Sequence, residues 1–377
     1  MSPAFEVVRA EKPEGFPALS KEIKISSSVT AYTPTKSYRN YKDTNFNTTQ
    51  FVEITRNFQM DRLKALFEGK RIKILESIPH EIVPSKINFV IFNLDIKNIP
   101  DDDIIESFTH TLYKNSVSSY FLPTINMNAL KSPIEKINRK GETTIKNVED
   151  ENKIIKYMHM LDLMVDITQV WNKKEIIGTI PLIAPKYVNP IIDVYLKKEI
   201  KSFSIDANLK DVFSGQNMTH LKNILFRISK VVPLSESFIY LNNPGIGHFE
   251  NNYTKADDFL SLIAGIDNIS EIFKRRLFRP TPPLPGVPKR PSRCKMFQNL
   301  DYRYQLFDTY GRASVHFGVD VNRDFIKNYN QEKQLEETIK IRSHIKEGTL
   351  YSHIDSKKIL DEKMRKQLSE LESKLSF

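Results

Sequence analysis

The chain has 377 residues, of which 40% are hydrophobic and 27% charged, so its composition is that of a globular protein and excludes a disordered chain or a fibre. Its single cysteine, Cys294, excludes an internal disulfide framework and a zinc site built from several cysteines. No apolar run approaches the roughly 20 residues of a membrane span, and the N-terminus lacks the basic-then-apolar order of a signal peptide, so we expect a soluble, cytoplasmic protein with no membrane partner.

The first part of the chain, residues 1–50, is rich in Ser, Thr, Tyr, Pro and Lys and contains one short strand candidate at 5–9. This composition predicts an N-terminal appendage. Beyond it, short apolar runs alternate with longer amphipathic segments. Eight of these runs have the length of strands and are bounded by turn residues: 51–55, 71–77, 87–95, 119–125, 177–183, 202–208, 237–243 and 265–269.

Helix candidates lie between most of these runs, at 101–113, 152–171, 188–198, 217–230 and 255–264. Eight strands, most of them followed by a helix, are typical of a (β/α)8 TIM barrel, which we place over residues 51–273. A doubly wound open sheet is the rival interpretation, and it needs only five or six of the strands.

A cationic, proline-rich segment follows at 274–296. Residues 274–295 contain no Asp or Glu and carry a charge of +8, whereas the whole chain carries +10. Focused positive charge favours a polyanion site, such as one for nucleic acid, and a solvated, stiff linker is the alternative. The candidate nucleic-acid-binding side chains are Arg275, Arg276, Arg279, Lys289, Arg290 and Arg293.

The remainder, residues 297–377, is predicted to be helical and to pack on the barrel. A helix is expected at 330–348, with Gly348 as its C-cap. A second helix carries an apolar stripe, which packs on its own domain or forms a homodimer contact. The stripe consists of Leu360, Met364, Leu368, Leu371 and Leu375.

Functional residues of a parallel barrel lie at the C-terminal ends of its strands. These ends carry carboxylates and amides: Asp95, Asn126, Asp206, Asn208, Asn242, Asn243, Asp267 and Asn268. Converging carboxylates suit nucleophilic and general acid/base chemistry at a glycosidic carbon. Asp and Asn also serve as turn and cap residues, but Asp95 and Asp206 each end a strongly apolar run, which favours a functional role.

The loop that begins at Asn242 contains Gly245, Gly247 and His248, and loops in this part of a barrel often bind phosphate. Two glycines are far short of a phosphate-binding fingerprint. No histidine stands at metal-ligand spacing from another, so we expect no metal site and no cofactor.

Four segments resemble, in order, the tRNA-guanine transglycosylase family. Residues 177–208 are similar to its pair of strands that end in Gln-Gly-Gly and Ile-Gly-Gly-Leu motifs, and PLSESFIYLNNPGIG (233–247) resembles its next strand and loop. Residues 257–270 resemble the helix and strand that deliver its nucleophilic aspartate, and 328–348 its closing helix. Asp95 matches the aspartate of its Thr-Asp-Ser-Gly-Gly strand.

The chain also departs from the family. The zinc-binding cysteines are absent, and the base-recognising glutamine falls on Pro181. The second glycine motif becomes Ile-Asp-Ala-Asn, with Asp206 and Asn208 in it. Alignment without gaps puts the nucleophile at Ser270, with Asp267 on a neighbouring aspartate.

The resemblance implies exchange of a guanine base for a 7-deazaguanine derivative in DNA or tRNA. Asp206 or Asp267 is then the nucleophile and Asp95 the base-recognising acid/base group. Asn126, Asn208, Asn242, Gly245 and Gly247 complete the predicted substrate site. A catalytically degenerate nucleic-acid-binding partner subunit of the same fold is the alternative, and an unrelated glycoside hydrolase is a third interpretation.

Overall fold

The computed structural model describes residues 6–26, 29–39, 50–117, 119–137, 143–171, 173–247, 252–271, 294–375 and 377. The strands in these residues are β1 (Glu6–Glu11), β2 (Ser20–Ser26), β3 (Val29–Thr33), β4 (Thr35–Lys36), β5 (Tyr38–Arg39), β6 (Phe51–Phe58), β7 (Ile87–Leu94), β8 (Ser119–Phe121), β9 (Thr124–Ile125), β10 (Lys131–Ile137), β11 (Thr143–Glu149), β12 (Glu175–Pro181), β13 (Ser202–Asp206), β14 (Phe238–Asn242), β15 (Tyr253–Lys255), β16 (Asn268–Ile269), β17 (Cys294–Gln298) and β18 (Arg303–Phe307). The α helices are α1 (Met60–Phe67), α2 (Lys73–Glu76), α3 (Ile78–Glu81), α4 (Asp102–Asn115), α5 (Glu151–Trp171), α6 (Pro185–Lys197), α7 (Gly215–Ser229), α8 (Asp257–Leu260), α9 (Tyr310–Phe317), α10 (Arg323–Lys346), α11 (Leu350–Ser356) and α12 (Glu362–Glu372). Short 3-10 helices cover Met127–Leu130 and Ser261–Ala264.

Two parallel sheets organise the fold. One has six strands in the order β4-β16-β14-β13-β12-β8, and the other has four in the order β5-β6-β7-β9. Every neighbouring pair in both sheets is parallel. Parallel neighbours need a crossover connection, and helices α1 to α8 lie in the connections between successive strands of this series. The predicted α/β class, with parallel strands and many helices, is therefore confirmed.

The outer strands of the two sheets follow one another along the chain. Ser37 alone separates β4 from β5, and two residues separate β8 from β9. In addition, β7 of the smaller sheet lies beside β8 of the larger one. Both outer strands of the four-stranded sheet thus continue outer strands of the six-stranded sheet.

Apolar side chains cover both faces of the parallel strands. β7 is buried along its whole length, as its near-continuous apolar sequence predicts. One face packs on the helices through the main core, which includes Phe92 and Leu94. The other face carries an aromatic cluster, in which the Phe89 ring lies 4.8 Å from Phe121 and 5.5 Å from Tyr240.

Antiparallel sheets are attached to this parallel framework. They are the sheet β1-β2-β3, the hairpin β10-β11 and the sheet β15-β18-β17. Ile23 and Ala31 of the first of these sheets pack on the aromatic cluster. Helix α10 packs against β17, β4 and β2, and the whole C-terminal apolar stripe from Leu360 to Leu375 belongs to the main core.

Two sequence-based assignments in the parallel region are corrected. Residues 71–77 were expected to form a strand, but they lie in and around α2 and α3. Leu75 of α2 and Ile78, the first residue of α3, are the buried side chains here, and their spacing of three residues is a helical rather than a strand period. No sequence pattern predicted β4 and β5, because two-residue strands carry no periodic signal.

The fold does not test the predicted domain limits. The limits at residues 50, 273 and 296 stay predictions, and residues 272–293 lie outside the described residues. In the part of the chain that is described, no helix combines the length and the apolar character that crossing a bilayer requires.

Candidate functional site

The carboxyl ends of the parallel strands bring two of the predicted residues together. Asp95 directly follows β7, and its backbone N–H donates to the Phe58 carbonyl at the end of β6. Asn126 directly follows β9, and its side-chain amide donates to Asp95 Oδ1 over 2.8 Å. Both residues are half-buried. Asp95 and Asn126 therefore form one polar unit at the ends of adjacent strands.

A further set of polar side chains, which the sequence analysis missed, lies on the same strands. The Asn93 side chain accepts a hydrogen bond from the Thr124 hydroxyl and donates to Asn57 Oδ1 over 3.1 Å. Asn93 and Thr124 are buried. These bonds connect β6, β7 and β9 two residues before Asp95 and Asn126, and they therefore help to fix the position of that pair.

Asp206 is the last residue of β13, level with Pro181 of β12 and Asn242 of β14. Its side chain is 1% exposed, and its Oδ1 accepts the Asn208 backbone N–H over 3.1 Å. Asn208 has a positive φ of 48°, which an asparagine tolerates in a tight turn. The predicted residues Asp206, Asn208 and Asn242 thus stand at one edge of the larger sheet, where Asp206 also holds the turn.

The loops that follow β13 and β14 are bonded to each other. The Leu209 N–H donates to the Asn243 carbonyl, and the Gly245 N–H donates to the Lys210 carbonyl. A Cβ atom on Gly245 would lie 2.2 Å from the Leu209 oxygen, so this close approach requires glycine. Gly247, the other predicted glycine, lies against the side chain of Asp257. Both glycines therefore serve loop packing.

Asp267 lies elsewhere. It stands just before β16, level with the second residue of β14, and its Oδ2 pairs with Lys21 Nζ at 2.7 Å. Lys21 also donates to the Ser237 carbonyl, which precedes β14, so the pair lies at the amino ends of the strands. Burial raises the pKa of Asp267, and Lys21 opposes that rise. The structure does not bring Asp267 together with Asp95 or Asp206.

Ser270 is the residue of this segment that reaches the carboxyl end. It directly follows β16, and its hydroxyl accepts the Asn243 N–H over 2.5 Å. It is completely buried. The alignment position of the family nucleophile is thus a serine whose oxygen is bonded to the neighbouring loop.

A buried charged group is the main feature that sequence reasoning missed. Glu53 of β6 is 2% exposed, accepts a hydrogen bond from the Tyr240 hydroxyl and lies 3.1 Å from Arg39 Nε of β5. Burial raises the pKa of Glu53 to about 7, although Arg39 and Tyr240 oppose the shift. Its only sequence signal is a carboxylate inside an otherwise apolar run, and Arg39 falls in the predicted appendage.

The loop after β13 adds a cation to this end of the sheets. The Lys210 ammonium donates to the Leu182 carbonyl over 2.6 Å. Burial lowers the pKa of Lys210, with a smaller contribution in the same direction from Lys131. The carboxyl ends therefore carry both signs of charge in a partly dehydrated environment, which strengthens electrostatic interactions.

The predicted nucleic-acid-binding residues lie outside the described residues, as does His248. They are Arg275, Arg276, Arg279, Lys289, Arg290 and Arg293. Where the structure is described, no group of three or more His, Cys, Asp or Glu side chains could hold a metal ion.

The strand ends offer carboxylates, amides and lysines: Lys210 lies in the loop after β13, and Lys36 ends β4 and pairs with Asp258 at 3.3 Å. Such groups can recognise a nucleobase edge through hydrogen bonds and stabilise positive charge at a sugar carbon. No protein-family model matches the chain. No curated protein is significantly similar to it.

Replacing Gly245 by Ala tests the packing of the two loops. We expect Gly245→Ala to lower the free energy of unfolding by about 1–3 kcal/mol, because its Cβ cannot fit against Leu209 without a backbone shift. Urea denaturation measures the change. Gly215→Ala is the matched control, since no atom lies within 4 Å of its added Cβ. Equal stability of the two variants would contradict this interpretation of Gly245.

The buried pair of Lys21 and Asp267 predicts strong coupling. Lys21→Met should lower the free energy of unfolding by about 3–5 kcal/mol, because it leaves a buried carboxylate without its cation. Adding Asp267→Asn should recover part of that loss, since the neutral amide needs no cation. A double-mutant cycle in urea measures the coupling, and simple additivity would show that the pair has no structural role.

Glu53 should make stability depend on pH. Its pKa of about 7 lies above its ordinary value of 4.5, so the folded chain binds the proton more tightly than the unfolded chain. Its stabilising contribution is complete below pH 4.5 and is lost as the pH rises to 7. Relative to Glu53→Gln, the wild type should therefore lose about 2–3 kcal/mol between pH 5 and pH 8.

Urea unfolding of both proteins at the two pH values provides the measurement. Taking the difference between wild type and variant removes the contributions of other buried carboxyls, such as Glu175, whose pKa burial also raises to about 7. A difference that does not change with pH would mean that Glu53 keeps an ordinary pKa.

Proposed function

We propose that this protein is a (β/α)8 barrel that acts on nucleic acid as a base-exchanging transglycosylase. In this proposal it replaces a guanine base of DNA or tRNA by a 7-deazaguanine derivative. The observation that carries the proposal is the presence of two carboxylates, Asp95 and Asp206, at the carboxyl ends of parallel strands.

Strand order supports a closed barrel. If β4 with β5, and β8 with β9, are each counted as one interrupted strand, the two sheets contain eight strands. Each of these strands pairs with the next in chain order, and the eighth, β16, pairs with the first through β4. A series of parallel neighbours that returns to its first strand is what a closed barrel requires.

The polar groups at the strand ends support the assignment of roles. Asp95 and Asn126 present a carboxylate and an amide side by side, which is a donor and acceptor set suited to a purine edge. Asp206 stands beside Asn242 on the next strand. We assign Asp95 with Asn126 to the base and Asp206 to the sugar; Asp267 is left out, because it lies at the amino ends of the strands.

The proposed reaction has two displacements. The Asp206 carboxylate attacks C1′ of the guanosine, and the glycosidic bond breaks with its electron pair on the leaving guanine, which takes a proton from the Asp95 carboxyl. The incoming base then returns a proton to Asp95 while its ring nitrogen attacks C1′ and releases Asp206. Bond making and proton transfer balance over the cycle, so no cofactor is consumed.

The remaining predicted residues have supporting roles in this proposal. Asn208 and Asn242 contact the sugar and its phosphates from the loops beside Asp206, while Gly245 and Gly247 allow those loops to pack closely. The +8 segment at 274–295 holds the phosphate backbone by counterion release.

One observation favours a second candidate, a nucleic-acid-binding partner subunit without catalysis. Asp206 is buried beneath bonded loops and caps a turn, and Ser270 stands where the resemblance places the nucleophile. A barrel that has lost its nucleophile would keep the fold and the cationic segment. It would bind nucleic acid with steep salt dependence and exchange no base.

A base-exchange assay distinguishes the two candidates. The purified protein is incubated with radiolabelled guanine and, separately, with tRNA and double-stranded DNA, and label is counted in each polymer. In a second arm, polymer already labelled at guanine is incubated with an unlabelled 7-deazaguanine derivative, and release of labelled guanine detects an enzyme that refuses guanine as the incoming base. We expect label in one polymer, and we expect Asp206→Asn and Asp95→Asn each to reduce incorporation at least about a hundredfold, as loss of an acid/base group or nucleophile does.

Asp320→Asn is the control, because Asp320 is an exposed carboxylate far along the chain from the strand ends. Incorporation unchanged by Asp206→Asn would remove Asp206 from the reaction. If neither incorporation nor release is seen while both polymers still bind at low salt, the result would favour the non-catalytic partner subunit over the enzyme.

A further inference from the structure

A cleft of about 650 Å³ lies between the loops after β13 and β14 and the C-terminal helix α12. Its polar lining contains both signs of charge, and its apolar lining comes from three different parts of the chain. The lining residues used below are Phe213, Gly247, Tyr253, Lys255, Asp257 and Met364.

The most buried charged group of this cleft is Asp257, at the start of α8. Asp257 is only 5% exposed, although it lines the cleft. Its Oδ1 has no hydrogen-bond partner within the described residues. A buried carboxylate oxygen without a partner is costly, so a bound group that donates a hydrogen bond would remove that cost.

The charged groups that act on Asp257 are mostly carboxylates, so its surroundings favour a bound positive charge. Burial, followed by repulsion from Asp211 in the loop after β13 and from Asp258 of its own helix, raises the pKa of Asp257 to about 7. Lys255 of β15 opposes this shift, and Asp361 beside α12 supports it. Lys255 already pairs with Asp361 at 3.2 Å.

The rest of the wall suits an alkyl chain. Phe213 and Met364 are buried, and Tyr253 is partly exposed on the same cleft. Gly247 keeps the carboxylate open from one side, because a Cβ at this position would lie 2.7 Å from Asp257 Oδ2. The described lining also contains cations: Lys255 and Arg303 are each paired with an aspartate, at 3.2 Å and 3.7 Å, and Lys363 is the third. An anionic ligand that reached Asp257 would meet its carboxylate.

We propose that this cleft is a binding site for a small organic cation, an alkyl amine whose ammonium group is held by the Asp257 carboxylate. The alkyl stem lies along Phe213 and Met364. This site is separate from the strand-end residues assigned to base exchange, so it adds a ligand that the proposed function does not include.

Isothermal titration calorimetry with 1,4-diaminobutane tests the proposal, with 1,4-butanediol as the uncharged probe of equal length. At pH 8 the full-length protein should bind the diamine and not the diol. Because the amine binds the ionised carboxylate, affinity should fall up to about tenfold for each pH unit below 7. The wild-type pH profile needs no variant.

Two substitutions locate the site. Asp257→Asn should weaken diamine binding at pH 8 by about tenfold or more and flatten the pH profile, because the charged partner is gone. Gly247→Ala should weaken it by placing a methyl group against the carboxylate. Glu362→Gln is the matched control: it removes an exposed carboxylate next to the cleft and should leave the affinity unchanged.

Equal binding of the diol, or unchanged affinity in Asp257→Asn, would overturn the proposal, as would no binding by the wild type at millimolar diamine. Base exchange is measured on Asp257→Asn alone, because Gly247 belongs to a loop assigned to the proposed base-exchange site. Loss of diamine binding with exchange retained would establish two separate sites. Failure of base exchange in the wild type has no bearing on the diamine titration.

Discussion

Parallel hydrogen bonding between successive strands is the constraint on which the rest of this structure depends. Because neighbouring strands within each parallel sheet point the same way, their carboxyl ends meet at one edge of that sheet, and residues far apart in sequence become neighbours there. The pairing of β13 with β12 and β14 sets Asp206 level with Pro181 and Asn242. The same register sets Asp267 level with Ile239, three residues before Asn242 on β14, so a small difference in strand position separates a residue at the carboxyl ends from one at the amino ends.

The free-energy cost of burying a charge explains where apolar and charged side chains lie along the parallel strands. Phenylalanine rings fill its middle, where an unpaired charge would be prohibitively expensive. Two buried ion pairs flank this layer: Glu53 with Arg39 on one side, and Lys21 with Asp267 on the other. The N-terminal sheet supplies Lys21, so it both covers the aromatic cluster and neutralises the base of the strands.

The fold was predictable where a pattern is long and local. The near-continuously apolar, eight-residue sequence of β7 predicts a buried strand, and Asp95 directly follows its end. Elements of two to four residues were not predicted correctly: β4 and β5 were missed, and the four-residue helix α2 was assigned to a strand at 71–77. Asp267 was misjudged for the same reason, since β16 has only two residues and the sequence does not say which end of it Asp267 occupies. The cleft beside Asp257 is completed by α12, which lies about a hundred residues later in the chain, and no local sequence pattern encodes such a long-range arrangement.

The resemblance and the structure disagree on the position of the proposed nucleophile. The resemblance puts the reacting aspartate on the β16 segment, but the residue at that carboxyl end is Ser270. A retained reaction would then use Asp206, two strands away on β13, and the sugar would have to approach from that side. In the proposed reaction the base would still meet Asp95 and Asn126, which directly follow β7 and β9. Because the loops that cover Asp206 are bonded through Leu209 and Gly245, the proposed attack by Asp206 would require these loops to part, whereas the proposed binding role would not.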